Sequence, residues 1–174
     1  MAERERDAHG KPLNARPRDG LGRPLARGGN GTPRVPDDLR LPPTAALVEA
    51  QRFLDANMPF HAHEVLEGTW KSCSPDERPL WQGLAQLAVG LTHLMRGNRV
   101  GAGSLLRQGH DRLIAFESDP PHRLDVTGLL TWSEGLLDEL ETGRLPVAPG
   151  IPALRATGRT DPDGGVLASD SGSS

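Results

Sequence analysis

The densest run of side chains able to do chemistry is Phe60-His61-Ala62-His63-Glu64-Val65-Leu66-Glu67. On a helix each residue advances by about 100°. His63 and Glu67 are therefore one turn apart and share a face, with Glu64 at its edge. Ala62, Val65, Leu66 and Thr69 fill the opposite arc, and Trp70 stands on the boundary beside His63. A second polar stripe lies further on, where Gln82, Gln86 and His93 recur at steps of four and seven. That segment is otherwise apolar, with Leu80, Leu84, Leu87, Leu91 and Leu94 on one side and Ala85, Ala88, Val89 and Gly90 covering much of the rest. A helix of this kind should be largely buried, and buried amides and imidazoles must find partners. The nearest stretch rich in acceptors is the His63/Glu64/Glu67 face, so the two stripes are expected to face each other.

Two carboxylates and two imidazoles, His63, Glu64, Glu67 and His93, meet the donor set for zinc, iron or manganese. In a metal-assisted hydrolase or similar acid–base enzyme they would generate a nucleophilic water. Glu64 or Glu67 would act as base or ligand, and His63 and His93 as ligands or acid–base partners. The string His63-Glu64-x-x-Glu67 is not the zinc-protease signature, which has a second His where Glu67 stands. Nor is it the di-iron pattern of Glu followed three residues later by His. Any divalent metal would need a site assembled across helices. The competing account is a satisfied polar network, in which Glu67 accepts from His63 or a Gln amide and locks the helix pair in register without catalysis. No reaction motif is complete, so the network is favoured. Its candidate members are His63, Glu64, Glu67, Trp70, Gln82, Gln86 and His93.

Other candidates carry less. Gly97-Asn98-Arg99-Val100-Gly101-Ala102-Gly103 precedes a helix but lacks the Lys-Ser/Thr of a phosphate loop. It reads as a tight turn, with Gly101 and Gly103 permitting close packing. Cys73 sits in a polar loop with no evident activating neighbour. His61 is expected on an exposed side face, His110 and His122 at the surface, and Trp70, Trp81 and Trp132 at the edges of the core. Glu134, Asp138, Glu139 and Glu141 read as the solvated side of the last helix.

These residues must be carried by helices. Beyond Leu41-Pro42-Pro43, with Thr44 as the expected N-cap, Ala46, Leu47, Ala50, Phe53 and Leu54 recur at helical spacing. Asn57 to Pro59 break this first helix, and a second is predicted over 60–71. A polar loop over 72–79 leads to a third helix at 80–96, stopped by Gly97-Asn98. A fourth follows over 100–116, and a fifth over 124–142 is ended by Gly143. Phe53-Leu54, Ala62 and Val65-Leu66 are echoed about 40 residues later by Leu94-Met95, Ala102 and Leu105-Leu106, the pattern of a repeated helical hairpin. The expected fold is all-α: a compact bundle of about five helices, built from two helical hairpins plus a closing helix, at residues 41–143. Residues 1–40 hold nine Lys or Arg against six acids amid Gly and Pro, and are read as an extended or disordered basic arm. In an alternative reading Leu13, Leu21 and Leu25 dock that arm on the helices. Residues 144–174 are read as a disordered tail.

Composition narrows the function. The 174 residues, with a formal net charge of −3, include no Tyr and one Cys. Nucleic acid is an improbable partner for so neutral and aromatic-poor a chain. A single Cys needs no oxidising compartment, the N-terminus lacks the apolar core of a signal peptide, and no apolar run approaches the roughly 18 residues of a membrane span. A cytoplasmic protein with no membrane partner is expected.

The blocks Phe60-His61-Ala62-His63-Glu64-Val65-Leu66-Glu67-x-x-Trp70, Trp81-Gln82-Gly83-Leu84-Ala85-Gln86-Leu87-Ala88, His93 and Arg96-Gly97-Asn98-x-x-Gly101-Ala102 resemble domain-of-unknown-function family 309 over residues 44–116. The resemblance implies a compact multihelical bundle known from bacteria and plastid-bearing eukaryotes. The Gly, Arg and Pro content and the segment Asn14-Ala15-Arg16-Pro17-Arg18-Asp19 are similar to actinobacterial members. The family brings no established function with it. The expectation is a non-catalytic binding or scaffold module, with a protein partner or a second copy as its ligand. The alternatives are the metal-assisted or acid–base enzyme and a small-ligand sensor.

Overall fold

The computed structural model describes Leu21, residues 41–146 and residues 149–156. Among these, five helices are present: α1 (Pro43–Asp55), α2 (Pro59–Ser72), α3 (Arg78–Met95), α4 (Arg99–Leu113) and α5 (Val126–Glu141). No helix among the described residues is long and apolar enough to cross a membrane. The all-α bundle of two hairpins and a closing helix is therefore borne out, with helix ends moved by one to three residues. Thr44 does not cap α1. Pro42 holds that position without a side-chain bond, and Pro43 begins the helix, where its missing N–H costs nothing.

The internal repeat has a structural basis. Asn57, with φ 57°, and Gly97, with φ 78°, take the left-handed conformation that ends α1 and α3. In each turn the same pair of bonds forms: Asn57 N–H to the Leu54 carbonyl and Met58 N–H to Phe53, then Gly97 N–H to Leu94 and Asn98 N–H to His93. This is the Schellman arrangement. The apolar positions on either side also correspond, since Leu54 and Leu94, Ala62 and Ala102, and Leu66 and Leu106 are all buried. Gly143 closes α5 in the same way.

The core is organised around α3. Its Leu80, Trp81, Leu84, Leu87, Leu91 and Leu94 are buried, against Leu47 and Leu54 of α1, Leu66 of α2, Leu106 and Leu113 of α4, and Leu129 of α5. Helix α4 approaches α3 closely because glycines line the contact. A Cβ on Gly109 would lie 2.8 Å from the Gly83 carbonyl oxygen, and one on Gly90 would lie 2.8 Å from Leu106 Cγ. Gly103, expected to serve this purpose, would meet only Leu140 at 3.9 Å, an ordinary contact. Gly101 is needed for another reason: a Cβ there would strike the Asn98 side chain at 2.6 Å. That side chain caps α4 by accepting from Gly101 N–H at 3.0 Å.

Part of the segment expected to be a disordered tail belongs to the folded body. Residues 149–156 return along α5 as an extended strap. Leu124 and Arg155 form an antiparallel bridge, Asp125 N–H donates to the Leu154 carbonyl at 2.9 Å, and Ala156 N–H donates to Arg123 at 3.1 Å. Leu154 is 4% exposed and Pro152 is buried. Helical periodicity cannot announce such a segment. Its order comes from pairing with a distant loop.

Candidate functional site

Helix α2 buries Ala62, Val65, Leu66 and Thr69, and this rotation places His63, Glu64 and Glu67 together along its half-exposed flank. His63 Nε2 lies 3.5 Å from Glu67 Oε2, and Lys71 Nζ lies 3.2 Å from Glu67 Oε1. Burial pushes the His63 imidazole below the ordinary histidine value. The Glu67 carboxylate and the Phe60 carbonyl act against that, while Lys71 adds to it. The neutral imidazole is thus favoured, and it leans on the Phe60 ring at 5.6 Å between centroids. Trp70 is half-buried against the core. His61, expected to be exposed, is 2% exposed; it packs on Phe53, with ring centroids 5.4 Å apart. The reason lies in the repeat: His61 opens the second helix of its hairpin, directly under the turn that folds back on α1.

Gln86 and His93 bond toward α4. Arg112 Nε donates to Gln86 Oε1 at 3.0 Å, and Gln86 Nε2 donates to Gln108 at 3.2 Å. Both partners are on α4. His93 Nδ1 lies 3.1 Å from Asn98 Nδ2 and so steadies the residue that caps α4. Burial, then Arg96, pushes its pKa down, which suits a neutral ring accepting from the Asn98 amide. The bonds of Gln86 and His93 thus run to α4 and its cap, while His63 and Glu67 pair along α2. The close glycine contact brings α4 over the flank of α3 that carries Gln86 and His93. Gln82 is half-buried on α3. Among the described residues, no group of three or more His, Cys, Asp or Glu is placed to hold a metal ion.

What completes the α2 face is Arg96, at the end of α3. Its guanidinium carbon lies 5.9 Å from the centroid of the Phe60 ring, within reach of a cation–π contact. Its Nη2 donates to the main-chain carbonyl of Leu21, 75 residues away in the chain. Arg96 belongs to the motif block Arg96-Gly97-Asn98, but its partner could not be read from spacing.

A second polar cluster lies at the start of α3. Trp81, placed at a core edge by sequence, is fully buried. Its indole N–H donates to Glu77 Oε2 at 2.9 Å. His122 Nε2 lies 3.0 and 2.9 Å from the two Glu77 oxygens. Burial raises the Glu77 carboxyl, but the bonds to His122 and Trp81 outweigh it and hold the group below its ordinary range. His122 and Arg123 have φ of 55° and 59°, a left-handed turn that points His122 inward. The signal available was the i, i+4 spacing of Glu77 and Trp81. Burial pushes the nearby Cys73 thiol up, with Glu77 adding to it. His110 is less exposed than expected and bonds Glu134 of α5 at 2.9 Å.

Comparison with known proteins follows the hairpins. Residues 47–105 match the model of DUF309, a domain of unknown function. The uncharacterised protein YpuF of Bacillus subtilis (strain 168) is 36% identical over 90 residues, covering 48% of this chain and 49% of YpuF. The match thus spans about half the length of that curated relative. No solved structure matches the chain. The matched stretch runs from α1 into α4 and takes in the whole α2 face and Arg96, but neither α5 nor the strap. As the motif blocks implied, the two helical hairpins match the domain of unknown function DUF309 over residues 47–105.

Proposed function

We propose that the chain is a non-catalytic binding module whose α2–α3 face holds polypeptide. The observation that carries this reading is the Arg96 guanidinium, placed beside Phe60 and donating to the Leu21 carbonyl. A main-chain carbonyl is common to every residue type. A face that reads it accepts chain by its backbone and takes specificity from its flanks, here His63, Glu64 and Glu67. On this reading Leu21 is the resident ligand in cis, and a protein partner or a second copy the ligand in trans. Hydrogen exchange of the full chain tests it. Deuterium uptake in the peptide containing Leu21 should quicken in Arg96→Ala while α3 exchanges as before. Equal uptake in both proteins would remove the reading.

A neutral imidazole beside a carboxylate, His63 and Glu67, favours a second reading as a metal-assisted or acid–base enzyme. Elemental analysis of untagged protein, purified without chelator, separates the two. The binding reading expects no stoichiometric zinc, iron or manganese. Metal near one per chain, lost in a folded His63→Ala/His93→Ala variant, would establish the other.

A further inference from the structure

The strap is held in the manner of a bound peptide. Gln51 of α1 grips its backbone with both ends of one amide: Oε1 accepts from Leu154 N–H at 2.8 Å and Nε2 donates to the Pro152 carbonyl at 3.1 Å. Trp132 of α5 donates its indole N–H to the Gly150 carbonyl at 2.8 Å. The loop before α5 adds the Leu154 carbonyl and the Ala156 N–H as partners. Five main-chain groups of the strap are thus read over seven residues. Pro152 and Leu154 are buried and Ile151 is half-buried against the core, while Gly150, Ala153 and Ala156 are exposed. Pro152 and Leu154 together wall an apolar cleft whose other sides include Leu54, Leu66, Leu87, Leu91, Leu129 and Trp132. The strap follows α5 in the chain and packs back on α1 and α5.

We infer that the cleft between α1 and α5 is a binding groove for an extended peptide of the form Pro-x-Leu, occupied in cis by residues 149–156 and open to a partner's segment of that form. Main-chain hydrogen bonds supply affinity for any extended chain, and the side chains buried at alternate positions supply selectivity, the division of labour seen when proteins capture strands. The physical cause of regulation is tethering. A segment joined to its own groove competes at an effective concentration in the millimolar range for short linkers, so an incoming peptide binds only where the strap has let go. Only the α5 side of this groove lies outside the stretch that matches DUF309; the rest of its lining comes from α1, α2 and α3.

Two measurements on the full chain decide the matter. The first uses wild-type protein. The Leu154 amide, held by Gln51, should exchange at least tenfold faster than amides of Leu87 and Leu91 in α3, because the strap opens while the helices stay folded. Equal rates would mean that the strap leaves only on global unfolding, and the proposal fails. The second uses a fluorescein-labelled peptide with the sequence of residues 149–156, followed by polarisation. It should bind Leu154→Ser at least tenfold more tightly than wild type, and Gln51→Ala in that background should abolish the gain. No gain in a Leu154→Ser protein of unchanged helical circular dichroism would overturn the groove, as would equal binding of a scrambled peptide. A wild-type dimer that dissociates in Leu154→Ser would assign the groove to a second copy and overturn the partner.

Discussion

The α2 face and the strap groove are built in opposite ways. The α2 face carries the richest chemistry in the chain, yet its His63, Glu67 and Lys71 form half-exposed, surface-type pairs at 3.2–3.5 Å. The strap groove carries one amide and one indole of note, yet it fixes five main-chain groups and two buried side chains. Concentrated polar residues do not by themselves make a rigid site. A single glutamine placed over an extended backbone anchors more, because burial of Leu154 adds to each hydrogen bond. If function needs exchangeable contacts, both regions offer them, one by exposure and the other by a tether.

Removing the strap's anchor should have the largest effect. Leu154→Ala should lower stability by about 2–3 kcal/mol, as expected for a buried leucine, in urea unfolding followed by circular dichroism. A loss under 0.5 kcal/mol would erase the contrast between the regions. Gln51→Ala should come next, at about 1–2 kcal/mol, for two lost bonds to partners that are partly buried. Asn98→Ala should cost about 1 kcal/mol as the loss of an α4 cap. A double-mutant cycle with His93→Gln should show coupling, since His93 acts through Asn98. Glu67→Ala, on the motif-rich face, should cost less than about 1 kcal/mol. A larger loss would show that the α2 face is structural after all.

The smallest effect is a pH dependence of defined sign. His63 and His93 both titrate below the ordinary histidine value in the folded chain. The unfolded chain then binds protons first, so stability is full above about pH 6.5 and falls as pH drops through the ordinary range toward the depressed values. Urea midpoints at pH 7.5 and 5.5 should show this loss, and His63→Gln and His93→Gln should each reduce it. A midpoint that rises on acidification would reverse the assignment of neutral imidazoles.

Much of the fold was legible because it rests on local rules. The spacing of Leu80, Leu84, Leu87, Leu91 and Leu94 announces a buried helix, and Gly97 and Gly143 mark left-handed helix ends that few other residues adopt. The 40-residue echo announces the paired hairpins, and Asn57 takes the Gly97 position with the same two turn bonds. The candidate site was legible only in part. Periodicity places His63, Glu64 and Glu67 on one flank of α2, but it cannot say what that flank meets. Gln86 and His93 faced α4 because of Gly83, Gly90 and Gly109, whose missing side chains act at a distance in the chain.

The sequence by itself determined the five helices, the turns between them and the apolar face of each, since these follow from neighbours within about seven residues. Tertiary structure alone decided the pairing of polar groups: Arg96 with Leu21, Gln86 with Arg112, Glu77 with His122, and Gln51 with the strap. These partners are 26 to 103 positions apart. No local propensity encodes such a pairing. It is settled when whole helix faces bury together and leave each polar group only the partners that the packing brings within reach.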